Sequence, residues 1–256
     1  MTEPNPLTDR VIVITGASRG LGRAMAMTLA AQGAVVVAAA RSITDTPDSA
    51  QSTVQHILAA GGRGLALAAD VREEAQVRSM IDQVLIQYGR VDVLINNAGL
   101  MVGDIDFNDT SPALWRTILD TNLTGAYLCC HVVVPVMQRQ GAGVIVNISS
   151  GAAIRAGFLN VPYGVSKAGL DRLTLGLGTE LKADGIACIS LSPPVSATDA
   201  VRRMYPTRDI SAWAQPPELT AQALSALLVD NPMHYTGQVL SVREYLQHKG
   251  LLQQKP

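Results

Sequence analysis

Residues 11–40 read VIVITGASRGLGRAMAMTLAAQGAVVVAAA. Residues 11–14 are a short, unbroken apolar run, the pattern of a strand buried on both faces of a parallel sheet. They lead directly into T-G-A-S-R-G-L-G (residues 15–22) and an Ala/Met/Leu-rich helix that runs to about Gln32. Gly33 ends this helix, and residues 34–40 form a second buried strand. The order strand, glycine-rich turn, helix, strand is a βαβ unit. Glycines in its first turn let the backbone approach a pyrophosphate closely, and the helix N-terminus aims at the negative charge. The spacing here is Gly16-x3-Gly20-x-Gly22 rather than the common G-x-G-x-x-G. Glycine content alone would equally serve a plain tight connection.

The alternation continues outward from this unit. Residues 43–62 read as a polar loop and helix, and residues 64–69 as a third strand followed by Asp70-Val71. A helix over 73–88 carries the apolar stripe Val77, Met80, Ile81, Val84 and Leu85, a helical period. The fourth strand, 91–95, ends in Asn96-Asn97-Ala98-Gly99. Ser111-Pro112 is a cap and first-turn pair for a long helix that includes Thr121-Asn122-Leu123-Thr124-Gly125. Strand 144–148 ends in Ser149 and Ser150, and a helix opening near Pro162 then carries Tyr163 and Lys167. A sixth strand covers 186–191 and a last one 238–242. Such alternation predicts an α/β fold, a doubly wound parallel sheet with helices on both faces and a ligand crevice at the strand carboxyl ends. Thr15, Ala40, Asp70, Asn96 and Ser149 all sit at such ends.

The 256 residues suit one domain with a substantial core, at 48% hydrophobic and 16% charged. A net charge of -1 argues against a nucleic-acid partner. The start of the chain lacks a signal-peptide pattern, and no apolar run reaches the roughly 18 residues of a membrane span. Cys129, Cys130 and Cys188 give no disulfide framework, which predicts a reduced, cytoplasmic protein. The run Cys129-Cys130-His131 lies in an apolar helical stretch, so no metal site is expected.

Tyr163 and Lys167 are four residues apart and share one helix face. A tyrosine's ordinary pKa is about 10, and a neighbouring cation lowers it. Facing a serine hydroxyl, the pair would make a proton-transfer device.

Four motifs, in order, resemble those of the short-chain dehydrogenase/reductase family: T-G-x-x-x-G-x-G at 15–22, N-N-A-G at 96–99, Asn122 in N-L-x-G, and Ser150 with Tyr163-x-x-x-Lys167. The resemblance covers residues 9–200 or so and implies a Rossmann-like fold and an NAD(P)-dependent enzyme acting on an alcohol/carbonyl pair. By it, Tyr163 is the general acid and base, Ser150 stabilises the carbonyl oxygen, Lys167 holds the nicotinamide ribose, and Asn122 positions a relay water. The same resemblance assigns cofactor contacts to Gly16, Ser18, Arg19, Gly20, Leu21, Gly22, Asp70, Val71, Asn97, Ala98, Gly99, Pro193, Val195 and Thr198. Ser149 competes for the serine role, but the spacing favours Ser150.

An acid at the end of the second strand usually marks NAD, and a basic residue accommodates the 2′-phosphate of NADP. Here that end reads Ala40-Arg41-Ser42, and Arg19 lies in the glycine loop. Two guanidinium groups make an anion clamp, so NADP(H) is expected over NAD(H).

The chain also departs from the family. Where relatives have Pro-Gly, it has Pro193-Pro194, which fixes φ and removes an N–H. A substrate lid is expected over about 194–220, with Met204, Tyr205 and Trp213 as pocket candidates. The last strand ends in Arg243-Glu244-Tyr245 where many relatives have Asp-Gly-Gly, and a polar tail over 247–256 follows. This puts a tetramer contact through that strand in question. Pairing of the helices bearing Asn122 and Tyr163, eased by Gly169, Gly176 and Gly178, is expected to give a homodimer or homotetramer. The main reading is a ketone/aldehyde reductase of the carbonyl reductase type. The alternative is a cofactor-binding sensor or scaffold with little turnover.

Overall fold

A computed structural model describes residues 6–44, 46–157 and 160–252. The first five residues and the last four of the expected polar tail lie outside it. Strands β1 (Val11–Thr15), β2 (Val35–Ala40), β3 (Arg63–Ala68), β4 (Val93–Asn96), β5 (Gly143–Ile148), β6 (Ile186–Ser192) and β7 (Val239–Ser241) form one sheet. Their order is β3-β2-β1-β4-β5-β6-β7, and every neighbouring pair is parallel.

Helices cover both faces. They are α1 (Gly20–Ala31), α2 (Ala50–Ala59), α3 (Glu74–Tyr88), α4 (Pro112–Leu119), α5 (Gly125–Gln140), α6 (Val161–Glu180), α7 (Asp199–Met204), α8 (Pro217–Val229) and α9 (Val242–His248). Because strand side chains alternate, β1 and β2 feed two cores. Ile12, Ile14, Val36 and Ala38 pack with α1, α2, α8 and α9. Val11, Val13, Val35 and Val37 pack with α3 and α5. The strand order reverses direction between β1 and β4, and the carboxyl ends of those strands open the crevice where such sheets bind ligands.

Three expectations need correction. Residues 243–245 do not end a strand: β7 stops at Ser241, which caps α9 by accepting from the Glu244 N–H, and Val242, Tyr245 and Leu246 are buried. Lys249 then pairs with Asp230 and stands over the Tyr235 and Tyr245 rings, so the start of the tail is pinned to the body. The long helix bearing Asn122 is interrupted between α4 and α5 by a π-helical turn, Asp120–Thr124. Finally, Gly169 and Gly178 serve packing within the chain. A Cβ on Gly169 would lie 2.8 Å from the Leu123 side chain, and one on Gly178 would lie 2.3 Å from the Gly237 nitrogen.

Candidate functional site

The glycine turn sits at the carboxyl end of β1. Gly16 and Gly20 have φ of 66° and 56°, the left-handed region that glycine tolerates. A Cβ on Gly22 would lie 2.3 Å from the Gly16 carbonyl oxygen. Thr15 Oγ1 accepts from the backbone N–H groups of Asn97 (3.1 Å) and Ala98 (3.0 Å). The Asn97 side chain donates to the carbonyls of Thr15 (2.9 Å) and Gly16 (3.1 Å). The N-N-A-G segment is thus the brace behind the turn. Arg19, the N-cap of α1, makes no side-chain capping bond, and the first turn holds no acid. The opening N–H groups of α1 therefore face the crevice without an intrahelical acceptor. Turn, brace and uncapped helix fit a dinucleotide pyrophosphate.

Around this turn, Arg19 pairs with Asp48 at 3.3 Å. Arg23 ties the loop before α2 to the turn, donating to Thr53 Oγ1 (3.0 Å), the Ser18 carbonyl (2.6 Å) and the Pro47 carbonyl. Arg41 is exposed at the end of β2. Asp70 is gripped by Arg72, whose side chain donates to both carboxylate oxygens. The Arg72 hydrogen bonds, helped by the charges of Arg72 and Arg41, hold the Asp70 carboxyl below its usual range. Val71 is buried, and a Cβ on Gly125 would lie 2.6 Å from its side chain. Gly125 therefore lets the start of α5 press against this end of the crevice.

Ser150, Tyr163, Lys167 and Asn122 come together at the end of β5. Asn160 caps α6 by accepting from the Tyr163 N–H at 3.0 Å. The Asn160 amide donates to the carbonyls of Val102 (2.8 Å) and Gly103 (3.0 Å), fixing the β4–α4 loop against the helix start. Tyr163 is buried, and burial pushes its phenol up while a hydrogen bond with Ser150 works in the other direction. This corrects the expectation of a phenol lowered by its neighbouring cation: in the bare protein desolvation wins. The Lys167 Nζ lies 5.8 Å from the Tyr163 ring centroid and donates to the Ile148 carbonyl at 2.8 Å. Burial lowers the Lys167 pKa to about 8.

Asn122 sits on the π-helical turn. Its side chain accepts from the Leu100 N–H at 2.6 Å and donates to the Leu100 carbonyl (3.1 Å) and Ser166 Oγ (3.0 Å). Ser166 Oγ donates in turn to the Tyr163 carbonyl at 2.7 Å. The Asn122 side chain is therefore committed to holding the N-N-A-G loop against α6. A Cβ on Gly99 would meet Asn122 Oδ1 at 3.5 Å and Lys167 Nζ at 3.8 Å, which brings the N-N-A-G loop to the lysine. Ser149 points its hydroxyl into a buried position without a partner, and its N–H bonds the Leu191 carbonyl at 2.9 Å.

The segment after β6 forms a closed excursion. Ser196 and Gln215 pair in parallel, through Ala197 N–H to the Gln215 carbonyl (2.7 Å) and Gln215 N–H to the Val195 carbonyl (2.8 Å). The excursion ends there and not at 220, since α8 begins at Pro217 and buries Thr220. Inside it, Val201, Ile210 and Ala214 cluster with Met101, Val195 and Tyr205, and Tyr205 meets Trp213 edge to face at 5.5 Å. Thr198 caps α7 by accepting from the Val201 N–H at 3.4 Å. A Cβ on Gly20 would lie 3.3 Å from the Thr198 methyl, so Thr198 reaches the glycine turn with Pro193 and Val195 on the same neck.

Three side chains of the site lie outside the sequence motifs: Asn160, Ser166 and Arg72. Of these, only Asn160, two residues before Pro162, carried a signal, the cap position of a helix.

The profile of the family described as short chain dehydrogenase matches residues 10–209. Dehydrogenase/reductase SDR family member 1 of Mus musculus is 33% identical, over 96% of this chain and 83% of its own length. A 3-oxoacyl-(acyl-carrier-protein) reductase of Synechocystis sp. is 34% identical, over 92% of this chain and 96% of its own. Among solved structures, a variant of actinorhodin polyketide ketoreductase with NADPH matches at a TM-score of 0.83 and 28% identity, covering 91% of this chain and 95% of that one. With the sheet order, the glycine turn and these matches agreeing, this chain belongs to the short-chain dehydrogenase/reductase family of oxidoreductases.

Proposed function

We propose that this chain is an NADP(H)-dependent oxidoreductase that interconverts a ketone or aldehyde with its alcohol, Tyr163 acting as general acid and base. The observation that carries the reading is the buried phenol of Tyr163, with the Ser150 hydroxyl acting on it and the Lys167 ammonium 5.8 Å from its ring centroid. A phenol kept protonated by burial is a proton donor in waiting.

Bound NADPH would supply the hydride. Gly16, Ser18, Arg19, Gly20, Leu21 and Gly22 would hold its pyrophosphate, Asp70 and Val71 its adenine, and Asn97, Ala98 and Gly99 the wall beside it. Pro193, Val195 and Thr198 would border its nicotinamide end. Ser150 donates a hydrogen bond to the substrate carbonyl oxygen and stabilises the charge that develops there. Tyr163 delivers its proton to the same oxygen, or withdraws it in oxidation. The Lys167 ammonium, turned toward the ribose hydroxyls, favours the phenolate and draws the Tyr163 pKa back toward working pH. Asn122 holds the loop and helix that bring Lys167 and Tyr163 together.

The absence of a carboxylate directly after β2, with Arg41 exposed there, supports NADP(H). So does the NADPH in the ketoreductase structure. A 2′-phosphate would draw Arg19 away from Asp48. The apolar cluster of the lid suits a substrate of moderate size and low polarity. The outer faces of α5 and α6 expose Tyr127, Val161, Val165 and Leu175, which supports a homodimer or homotetramer through these helices. The thiols of Cys129, Cys130 and Cys188 are unpaired, as suits the reducing cytoplasm. Among the described residues no helix is long and apolar enough to cross a membrane.

The test is nicotinamide oxidation by the purified protein with NADPH and NADH in parallel, against ketones, β-ketoacyl esters, steroids and quinones. Turnover with NADPH exceeding that with NADH is expected. Tight NADPH binding without turnover on any class would favour a cofactor-binding scaffold instead.

A further inference from the structure

Lys167 is 5% exposed, and a buried ammonium is costly without a counter-charge. Its neighbours offer few. The π-helical turn presents the neutral amide of Asn122, and Asp120 on the same turn acts on Arg72 instead. β5 presents the Ile148 carbonyl, the loop at Gly99 presents backbone, and Ser190 on β6 is turned to Asp171. On α6 itself, Tyr163 lies one turn before Lys167 and Asp171 one turn after. Asp171 is the anion whose charge acts on Lys167. Its carboxylate is not free to swing outward, because Ser190 Oγ, fully buried on β6, donates to Asp171 Oδ1 at 2.6 Å.

We propose that Asp171, anchored to the sheet by Ser190, is a positioning residue for the relay: it keeps Lys167 cationic and so sets the alkaline limit of cofactor binding. The proposal rests on reading Lys167 as the lysine that holds the nicotinamide ribose. A Lys167 that loses its proton can neither attract the ribose oxygens as a charge nor favour the phenolate of Tyr163. An unanchored carboxylate would turn to solvent, where its field on Lys167 is screened.

The chain has four lysines, Lys167, Lys182, Lys249 and Lys255, so a protein labelled with carbon-13 at the lysine ε position gives a simple spectrum. The Lys167 resonance is assigned by its loss in Lys167→Met, and its titration needs no turnover. Asp171→Asn keeps an oxygen for Ser190 and removes only the charge. It should lower the Lys167 midpoint by about one pH unit, Ser190→Ala by less, and Asp171→Glu should restore most of it. The alkaline loss of NADPH affinity should move down in parallel, with affinity at about pH 6 unchanged within about twofold. A folded Asp171→Asn protein with an unmoved Lys167 midpoint would overturn the proposal. A midpoint that moves while NADPH affinity stays flat with pH would overturn the link to the cofactor. Coupling and NADPH dependence both present, with no turnover on any carbonyl, would support the proposal and count against the proposed reductase function.

Discussion

Replacing Lys167 by Met tests the desolvation argument through stability. The gap between a pKa of about 8 in the fold and the ordinary 10.5, at about 1.4 kcal/mol per pH unit, costs the folded state about 3 kcal/mol. The sign follows from proton binding. Between pH 8 and 10.5 the unfolded chain holds this proton and the folded chain has lost it, so stability rises with pH across that window. Below it the penalty is fully present. Methionine removes the penalty at every pH but leaves the Ile148 carbonyl without its donor, which costs about 1–3 kcal/mol. That second cost does not vary with pH. Lys167→Met is therefore expected to be at least as stable as the wild type at about pH 7. The wild type should then gain about 2 kcal/mol on it by about pH 9.5. Denaturant unfolding at a series of pH values, extrapolated to water, reads both quantities. A difference that stays flat with pH, or moves in the variant's favour as pH rises, would refute the reasoning.

Other outcomes follow from the close approaches and charges. Gly22→Ala places a Cβ 2.3 Å from the Gly16 carbonyl oxygen, so it should cost about 1–3 kcal/mol of stability. Because the same turn is the proposed pyrophosphate site, NADPH affinity should fall by about tenfold or more, measured by fluorescence titration. Gly178→Ala meets the Gly237 backbone at 2.3 Å and should cost a similar amount by denaturation while leaving NADPH affinity unchanged. Arg41→Ala should weaken NADPH but not NADH binding, with the NADPH effect shrinking as salt rises.

The first βαβ unit was legible because a doubly buried strand reads as an apolar run and the glycines stand where the turn must be left-handed. The order of the motifs along the chain then placed Asn122, Ser150, Tyr163 and Lys167 at one end of the sheet, and the fold brings them together there. Helix α9 was not legible: its inward face is only Val242, Tyr245 and Leu246, too short a stripe to stand out from a polar segment. The π-helical turn was hidden because its five residues, Asp120–Thr124, hold only one large apolar side chain, Leu123, too few for the phase shift of an inserted residue to show in the apolar period. Gly169 and Gly178 announced a close approach but not to what, and each proved to meet its own chain. The direction of the Tyr163 pKa was misread because proximity of a cation shows in the i, i+4 spacing, whereas depth of burial does not.

The central claim is that Tyr163 supplies the proton. Tyr163→Phe removes one oxygen from a buried side chain and leaves the glycine turn and Lys167 in place. Single-turnover oxidation of bound NADPH by the best carbonyl substrate, wild type against variant, measures the claim most directly. NADPH affinity within about twofold of wild type and a rate lower by at least about a hundredfold are expected. A variant that reduces the carbonyl at near the wild-type rate would contradict the claim.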